Sequence, residues 1–207
     1  MVVVAVRDDG YEIDDDRDRL SKHTNVLVEN LSRTSWLVGV ERERILARLP
    51  FSWTFGLYAP ATGGGGGELA GFLRLVTDRI SFYYVSDVFI MESLRGRGLG
   101  TFLLKAAIGQ PGVADTAHGF LFTGSDRTER MYVNVLQFKT IHKERKTFAD
   151  GTPRTMYSML RAPKPLDRTA SNERTASGHA ERNVLTATIS IVFSIVAVIR
   201  FVVRKKK

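Results

Sequence analysis

Apolar and polar positions along the middle of the chain follow patterns that predict a mixture of strands and helices. Runs rich in β-branched and aromatic residues, bounded by turn residues, predict strands. Five consecutive glycines separate the second run from the third and predict a hairpin with an enlarged surface loop at 63–67. The predicted strands are 26–29, 51–58, 68–77, 81–91, 119–123, 138–142 and 156–160.

Apolar residues at helical spacing predict three helices between these strands. Residues suited to capping or to ending a helix mark their boundaries. The first predicted helix is capped by Ser35, runs through 40–49 and is stopped by Pro50. The second is 101–108, with Gly109 as its stop, and the third is 126–135, with Asp126 as its cap.

The segments on either side of this part have compositions that do not support a packed core. Residues 1–20 carry seven acidic side chains against three arginines, and we expect a flexible N-terminus. Residues 162–183 contain no aromatic residue and one leucine, so they cannot bury enough surface to offset their chain entropy. We expect a disordered linker there and an ordered domain at 21–161.

The last 24 residues combine an apolar segment with a basic tail at 204–207. Arg200 is the one charged residue in 184–203, and a helix of that length spans roughly 30 Å, about one hydrocarbon core. The segment therefore predicts a transmembrane helix. A buried C-terminal helix of the domain is the alternative, although such a helix would usually show a polar face.

The start of the chain offers no signal-peptide core, because the apolar run at 1–6 is too short. The chain thus resembles tail-anchored membrane proteins, and the resemblance implies a domain that faces the cytosol. The modest hydrophobicity and the basic tail fit the mitochondrial outer membrane, peroxisomes and the endoplasmic reticulum alike.

Composition excludes several kinds of chemistry. The chain has no cysteine, which excludes disulfides, thiolate zinc sites, iron–sulfur clusters and a cysteine nucleophile. The four histidines share no metal-ligand spacing, so we expect no metal site. The net charge of +8 comes without a run of interleaved basic and aromatic residues, which argues against a nucleic-acid partner. Mild basicity fits an anionic cofactor better.

One passage carries recognisable chemistry: a predicted strand, a turn with alternating glycines, and a helix start. Gly96, Gly98 and Gly100 keep side chains out of the way, so consecutive backbone N–H groups can face one anion. The first turn of the helix adds unpaired N–H donors and the positive end of its dipole. With the charges of Arg95 and Arg97, these groups predict a pyrophosphate site. A glycine turn without a ligand is the alternative.

Residues 95–100 match the Arg/Gln-x-x-Gly-x-Gly/Ala signature of the GCN5-related N-acetyltransferases, the GNAT superfamily. The resemblance covers about 23–161 and is closest to a small-GNAT branch of bacteria and fungi. The finer pattern of that branch lies in 71–78, 87–90, 121–126, Met131 and Tyr132. The resemblance implies an α/β (α+β) GNAT fold, with a twisted, mostly antiparallel sheet flanked by helices.

The resemblance also implies a cofactor site for acetyl-CoA. In that fold the strand before the glycine turn parts from its neighbour, and its free backbone groups pair with the pantetheine arm. Carried over to this chain, Phe89 and Ile90 offer those groups. The pyrophosphate is held by Arg95, Gly96, Arg97, Gly98, Gly100 and Thr101.

Two catalytic residues follow from the same resemblance. Tyr132 lies at the family's tyrosine position, six residues before Phe138, where many members use a tyrosine to protonate the departing thiolate. Asp87, a carboxylate in an otherwise apolar strand, is the candidate general base, ahead of Glu92. An ordinary helix tyrosine and a structural aspartate are the alternatives. Gln137 stands where the family usually has glycine.

These observations predict an acetyl-CoA-dependent N-acetyltransferase that moves an acetyl group directly to a primary amine and is held at a membrane by 184–203. A non-catalytic GNAT-fold adaptor that binds CoA or a partner protein is the alternative from another class. An acyltransferase with a different donor chain is a third. Small amines, peptide N-termini and lysines all fit as acceptors.

Overall fold

The computed structural model describes residues 3–61, 67–114, 118–147 and 151–162. Within them the chain forms eight strands and five α-helices. The strands are β1 (Val3–Val6), β2 (Glu12–Asp14), β3 (Trp53–Tyr58), β4 (Leu69–Thr77), β5 (Phe82–Ile90), β6 (His118–Thr123), β7 (Lys139–Thr147) and β8 (Pro153–Arg161). The helices are α1 (Arg17–Ser21), α2 (Thr24–Ser32), α3 (Arg42–Leu46), α4 (Leu99–Ile108) and α5 (Asp126–Leu136).

The described strands form one sheet in the order β1-β2-β3-β4-β5-β6-β8-β7. Neighbours pair antiparallel except at the centre, where β5 and β6 pair in parallel. A parallel pair needs a crossover connection, and α4 supplies it. This mixed, mostly antiparallel sheet with flanking helices confirms the expected fold class.

Apolar side chains cover both faces of the sheet. Leu99, Leu103 and Ala107 recur every four residues along α4 and pack on one face, each at most 1% exposed. Leu27 and Leu31 of α2 pack on the other face. Since successive strand residues point to opposite faces, β3, β4 and β5 contribute side chains to both clusters. The helices α1 to α3 and the helix α4 therefore lie on opposite sides of β5.

The structure corrects the expectation that residues 1–20 are flexible. They form β1, β2 and most of α1, and the side chains of Ile13 and Leu20 are buried in the core. The acidic residues are used locally rather than solvated. Asp16 caps α1 by accepting from two backbone N–H groups, and the buried Asp14 accepts from Arg19 at 2.7 Å. The folded domain therefore begins with β1 rather than at residue 21.

The strand expected at 26–29 is wrong, because these residues lie inside α2. Leu27, Val28 and Leu31 are buried at a spacing that places them on one side of a helix. A short apolar run does not by itself distinguish a strand from a helical turn. The helix expected at 40–49 is shorter, since α3 has Glu41 rather than Ser35 as its N-cap and a separate 3₁₀ turn contains Pro50.

The remaining expected elements are confirmed, with ends that shift by a few residues. α4 begins two residues before the expected start at 101. Ser125 rather than Asp126 caps α5, since its side chain accepts from the Thr128 N–H. β7 runs well beyond the expected end at 142, because its partner β8 offers pairing residues as far as Pro153.

Several predictions concern residues that the structure does not describe. Residues 63–66, most of the linker at 162–183 and the segment 184–207 lie outside the described ranges. Among the helices that are described, none combines the length and the apolar character that crossing a membrane requires. The transmembrane helix at 184–203 stays a prediction.

The buried side chain of Tyr58 generates a stability prediction. Its hydroxyl has no hydrogen-bond partner among the described residues, and the guanidinium of Arg19 lies over its ring, 3.7 Å from the centroid. Tyr58→Phe keeps the ring and removes a buried polar group without a partner. We expect the free energy of unfolding to stay unchanged or to rise by up to about 1 kcal/mol in urea titrations.

Tyr83→Phe is the matched control. Tyr83 is also buried in the sheet, but its hydroxyl accepts a hydrogen bond from Arg161 at 3.1 Å. This variant should lose about 1 kcal/mol of stability. A larger loss for Tyr58→Phe than for Tyr83→Phe would contradict the prediction.

Candidate active site

The centre of the sheet contains an opening between β5 and β6. The two strands pair only over Phe82–Tyr84 and His118–Phe120. Beyond this point β5 continues to Ile90 with β4 as its partner, while β6 continues to Thr123 with β8 as its partner. The strands therefore part after Tyr84, and each leaves an inner edge without a strand beside it.

The hydrogen-bonding pattern between β5 and β4 shows which backbone groups of β5 face this opening. The Met91 N–H donates to the Ala70 carbonyl of β4 at 2.9 Å. Hydrogen-bonded positions alternate along an antiparallel pair, so Phe89 also directs its N–H and C=O towards β4, where it pairs with Phe72. The N–H and C=O of Ile90 consequently point to the opening. Of the two residues predicted to meet the pantetheine arm, Ile90 is the one with suitably directed groups.

A β-bulge in β5 lies where the strands part. The register of β5 against β4 shifts by one residue between Ser86 and Phe89, and Asp87 has a φ of +50°. The extra residue moves the side chains that follow it to the opposite face of the sheet. Val85 lies in the core on the α4 side, whereas Phe89, four residues later, packs against the α2 side. A bulge bends its strand and strengthens the local twist, which favours separation from β6.

The turn between β5 and α4 presents a row of backbone N–H groups. Gly98 is the N-cap of α4 with a φ of +77°, in the left-handed region that favours glycine. Among the described residues, the N–H groups of Gly98, Leu99, Gly100 and Thr101 have no hydrogen-bond acceptor, and the first bond of the helix runs from Phe102 to the Gly98 carbonyl. These four donors lie at the positive end of the helix dipole, an arrangement suited to an anion.

The two arginines of the turn have different surroundings. Arg95 folds back, and its Nε donates to the Ile90 carbonyl at 3.1 Å. The Arg97 side chain is exposed. Gly96 has a φ of +82° and is also exposed. The residues predicted to hold a pyrophosphate thus lie together at the end of β5, beside the opening.

Tyr132 lies on the inner side of α5. Its side chain is 5% exposed and meets the ring of Phe138 edge-on, with centroids 5.7 Å apart. Burial raises the pKa of the Tyr132 phenol, and the neighbouring Tyr84 phenol raises it further. Phe138 also contacts the ring of Tyr83, which belongs to the part of β5 that pairs with β6, so only the Phe138 ring separates Tyr132 from that part of the sheet. The phenol remains protonated at neutral pH.

The end of α5 explains the glutamine at position 137. Gln137 follows the helix with a φ of +61°, and the Phe138 N–H donates to the Tyr132 carbonyl at 3.1 Å. This is the left-handed helix ending that usually contains glycine. Gln137 therefore occupies the structural position of the glycine that the resemblance leads one to expect.

The carboxylate of Asp87 is held by two donors. Oδ2 accepts from Arg74 Nε at 2.7 Å, and Oδ1 accepts from the indole N–H of Trp36 at 3.2 Å. The side chains of Asp87 and Arg74 are 6% and 12% exposed, so this is a buried ion pair. Arg74 also donates to the Ser86 hydroxyl at 3.0 Å. The cluster ties the bulge in β5 to β4 and to the segment between α2 and α3.

Sequence reasoning missed two members of this cluster. Arg74 could have been found, because it is a charged residue inside the apolar run of a predicted strand, as Asp87 is. Trp36 gives no comparable signal, since its contact spans 51 positions of the chain. The described part of the protein contains no group of three or more His, Asp or Glu side chains that could hold a metal ion.

Comparison with known proteins identifies the fold. The model of the acetyltransferase (GNAT) family matches residues 28–128, which run from α2 to the start of α5 and include the opening and the glycine turn. The matched residues are similar to a GNAT acetyltransferase domain. No curated protein matches the sequence.

Solved structures of acetyltransferases share the fold of this domain at low sequence identity. A protein of the GNAT family from Xanthomonas campestris has a TM-score of 0.54 and 20% identity over 84% of this chain and 98% of its own. YncA of Salmonella typhimurium, solved with its cofactor acetyl-CoA, has a TM-score of 0.57 and 16% identity over 80% and 99%. The ribosomal-protein-S18-alanine N-acetyltransferase of Escherichia coli has a TM-score of 0.58 and 14% identity over 78% and 99%.

The buried ion pair of Asp87 and Arg74 can be tested by Asp87→Asn. Asparagine tolerates the positive φ at this position as aspartate does, so the variant removes the charge without new backbone strain. Arg74 would be left buried without a carboxylate. We expect the free energy of unfolding to fall by about 3 kcal/mol in urea titrations.

Glu92→Gln is the control for this variant. Glu92 is 89% exposed and lies 4.0 Å from Arg95, so its ion pair is screened by water. The change in stability should stay within about 0.5 kcal/mol. Equal, small effects of both substitutions would show that the Asp87–Arg74 pair does not stabilise the bulge.

Proposed function

We propose that the domain binds acetyl-CoA along the opening between β5 and β6 and transfers the acetyl group directly to a primary amine. The row of N–H groups at 98–101 carries this proposal, because four consecutive donors without protein acceptors at a helix N-terminus are suited to an anionic ligand. The fold adds support, since structures with the same fold include one solved with acetyl-CoA.

The diphosphate of the cofactor fits the turn between β5 and α4. The N–H groups at 98–101 would donate to phosphate oxygens, and the dipole of α4 favours their negative charge. Arg97, exposed at the turn, supplies a positive charge. Since these donors belong to the backbone, any side chain that distorts the turn weakens the site.

The pantetheine arm fits the opening in the sheet. Its amide groups can bond to a strand edge as an added β-strand does. The N–H and C=O of Ile90 face that space, and the inner edge of β6 lies opposite. The Ile90 carbonyl accepts from Arg95 in the structure, so cofactor binding would either share this acceptor or displace Arg95.

Acetyl transfer requires two proton movements. The acceptor amine must attack the thioester carbonyl in its neutral form, and the departing thiolate must gain a proton. Tyr132 suits the second movement, because its raised pKa keeps the phenol protonated and its ring contacts Phe138, which contacts the paired end of β5 at Tyr83. We assign it the role of general acid.

The base that accepts the proton of the amine stays a prediction at Asp87. Each carboxylate oxygen already accepts one hydrogen bond, from Arg74 or from Trp36. Each oxygen has a second lone pair, so a water molecule could still relay a proton to Asp87. The ion pair also holds the bulge. Asp87 is therefore a positioning residue as well as the candidate base.

The acceptor class stays open within this proposal. One protein of the same fold is an N-acetyltransferase of the alanine of ribosomal protein S18, and another, NAA60 of Arabidopsis thaliana, is solved with a bisubstrate analogue. These neighbours make peptide N-termini one class to assay, beside small amines and lysines. We further propose that 184–203 tethers the domain to a membrane with the domain in the cytosol, on the sequence arguments alone.

Gly98→Ala tests the glycine turn. A Cβ at Gly98 meets only an ordinary contact, 3.7 Å from Arg7, so the substitution acts through the positive φ. The strain costs about 1 kcal/mol and shifts the turn that aims the N–H groups. We expect the Kd for acetyl-CoA to rise at least about tenfold in calorimetric titrations of the full chain.

Gly151→Ala provides a matched control. Gly151 has the same φ of +77° and open space around it, but it lies in the connection between β7 and β8. This variant should lose similar stability and keep its affinity for acetyl-CoA. If both variants bound acetyl-CoA like the unchanged protein, the proposed diphosphate site would be refuted.

Tyr132→Phe tests the general acid. We expect kcat to fall about 100-fold with the Kd for acetyl-CoA unchanged, because the variant loses the proton donor and keeps the ring packing. In the unchanged protein, the raised pKa should keep this donor protonated to above about pH 10. Thiol release from acetyl-CoA across an amine panel measures the rate.

Tyr157→Phe is the control, since Tyr157 is another buried tyrosine, and its hydroxyl donates to Asp126 at 2.7 Å. It should lose stability without a change in kcat. Unchanged turnover by Tyr132→Phe would exclude Tyr132 as the acid. Acetyl-CoA binding with no turnover in the unchanged protein would favour the non-catalytic adaptor.

A further inference from the structure

Arg7 reaches the glycine turn from the opposite end of the sequence. It follows β1, and its Nη1 donates to the carbonyl of Arg97 at 2.9 Å. This contact joins residues 90 positions apart. The N-terminal hairpin of β1 and β2 is thereby linked to the turn that carries the free N–H groups.

Arg7 is held in a fixed orientation by its own hairpin. Its backbone N–H donates to Tyr11 and its carbonyl accepts from Gly10, at 2.9 and 2.8 Å. The guanidinium binds both oxygens of Asp9, through Nε at 2.8 Å and Nη2 at 2.7 Å. A bidentate pair of this kind fixes the plane of the guanidinium. Nη1 is the remaining end, and it points to the Arg97 carbonyl.

The contact controls the peptide unit between Arg97 and Gly98. In a trans peptide the C=O and the N–H point in opposite directions. When Arg7 holds the carbonyl of Arg97, the N–H of Gly98 must point away from Arg7. That N–H is the first of the four donors without a protein acceptor.

The glycines make such a restraint necessary. Arg97 lies between Gly96 and Gly98, and both glycines have positive φ. Glycine adopts positive and negative φ with similar ease, so peptide units beside it can rotate at low cost. Without a fixed partner for the Arg97 carbonyl, the Gly98 N–H could rotate away from the direction of the N–H groups of Leu99, Gly100 and Thr101. The glycines leave room for a ligand but allow the peptide units to rotate, and the contact with Arg7 limits this rotation.

We infer that Arg7, oriented by Asp9, is a positioning residue for the diphosphate of the cofactor. The inference rests on the proposed function. Asp9 offsets the charge of Arg7, so the effect acts through the direction of the Gly98 N–H rather than through electrostatic attraction. The N-terminal hairpin is consequently part of the cofactor site.

A pair of donor substrates separates this role from a general structural one. Acetyl-CoA and S-acetylpantetheine share the thioester and the pantetheine arm, but S-acetylpantetheine lacks the diphosphate. In the full chain, Arg7→Ala should raise the KM for acetyl-CoA about tenfold. The kcat/KM for S-acetylpantetheine should stay within about twofold of the unchanged protein.

Two further variants make the test specific. Arg7→Lys keeps the charge but cannot bind both oxygens of Asp9 while reaching the Arg97 carbonyl. It should therefore lose most of the ratio by which kcat/KM for acetyl-CoA exceeds kcat/KM for S-acetylpantetheine. Arg17→Ala is the control, because Arg17 also ties the N-terminal segment to backbone carbonyls, those of Pro50 and Ser52, away from the turn. Arg17→Ala should not change the ratio of kcat/KM for acetyl-CoA to kcat/KM for S-acetylpantetheine.

The outcomes distinguish the inference from the proposed function. If the unchanged protein neither binds nor uses acetyl-CoA, the proposed function fails and the inference fails with it. If the unchanged protein uses acetyl-CoA and Arg7→Ala affects both donors equally or neither, the positioning role is overturned while the proposed function stands. If Arg7→Ala does not fold, Arg7→Lys and Asp9→Asn give the same comparison, and equal effects on both donors would again overturn the role.

Discussion

A β-sheet that opens at its centre leaves backbone N–H and C=O groups without strand partners, and buried groups of this kind need partners from elsewhere. In this protein β5 and β6 part after Tyr84. The bulge at Asp87 turns the faces of β5, and the glycine turn follows directly after the strand. The opening offers backbone groups of Ile90 and the turn offers the N–H groups of 98–101, which fits an elongated ligand with amides at one end and phosphates at the other.

Side chains maintain this backbone arrangement from both faces of the sheet. On one face, the buried pair of Asp87 and Arg74, with Trp36, holds the bulge in place. At the end of the strand, Arg7 holds the carbonyl of Arg97. On the α5 side, burial keeps the phenol of Tyr132 protonated. The charged side chains of the site thus act largely through the backbone, and the cofactor would meet main-chain groups first.

The sequence predicts the parts of this site that depend on local chemistry. The alternating glycines at 96, 98 and 100 and the following helix could be recognised because their backbone requirements are local. Contacts between distant segments of the chain could not be predicted in this way. The acidic residues near the start suggested a flexible tail, yet β2 pairs with β3, and the indole N–H of Trp53 donates to Asp15, 38 positions away. The apolar run at 26–28 fits a strand or a helix equally, and only packing against the sheet decides.

The amide resonances of the labelled protein give the most direct test of the central claim. On addition of acetyl-CoA, the account predicts large shifts and slowed hydrogen exchange at the amides of Gly98, Leu99, Gly100, Thr101 and Ile90. The amide of Phe89, which is directed towards β4, should change little. Binding that shifts other surfaces and leaves these five amides unchanged would contradict the account.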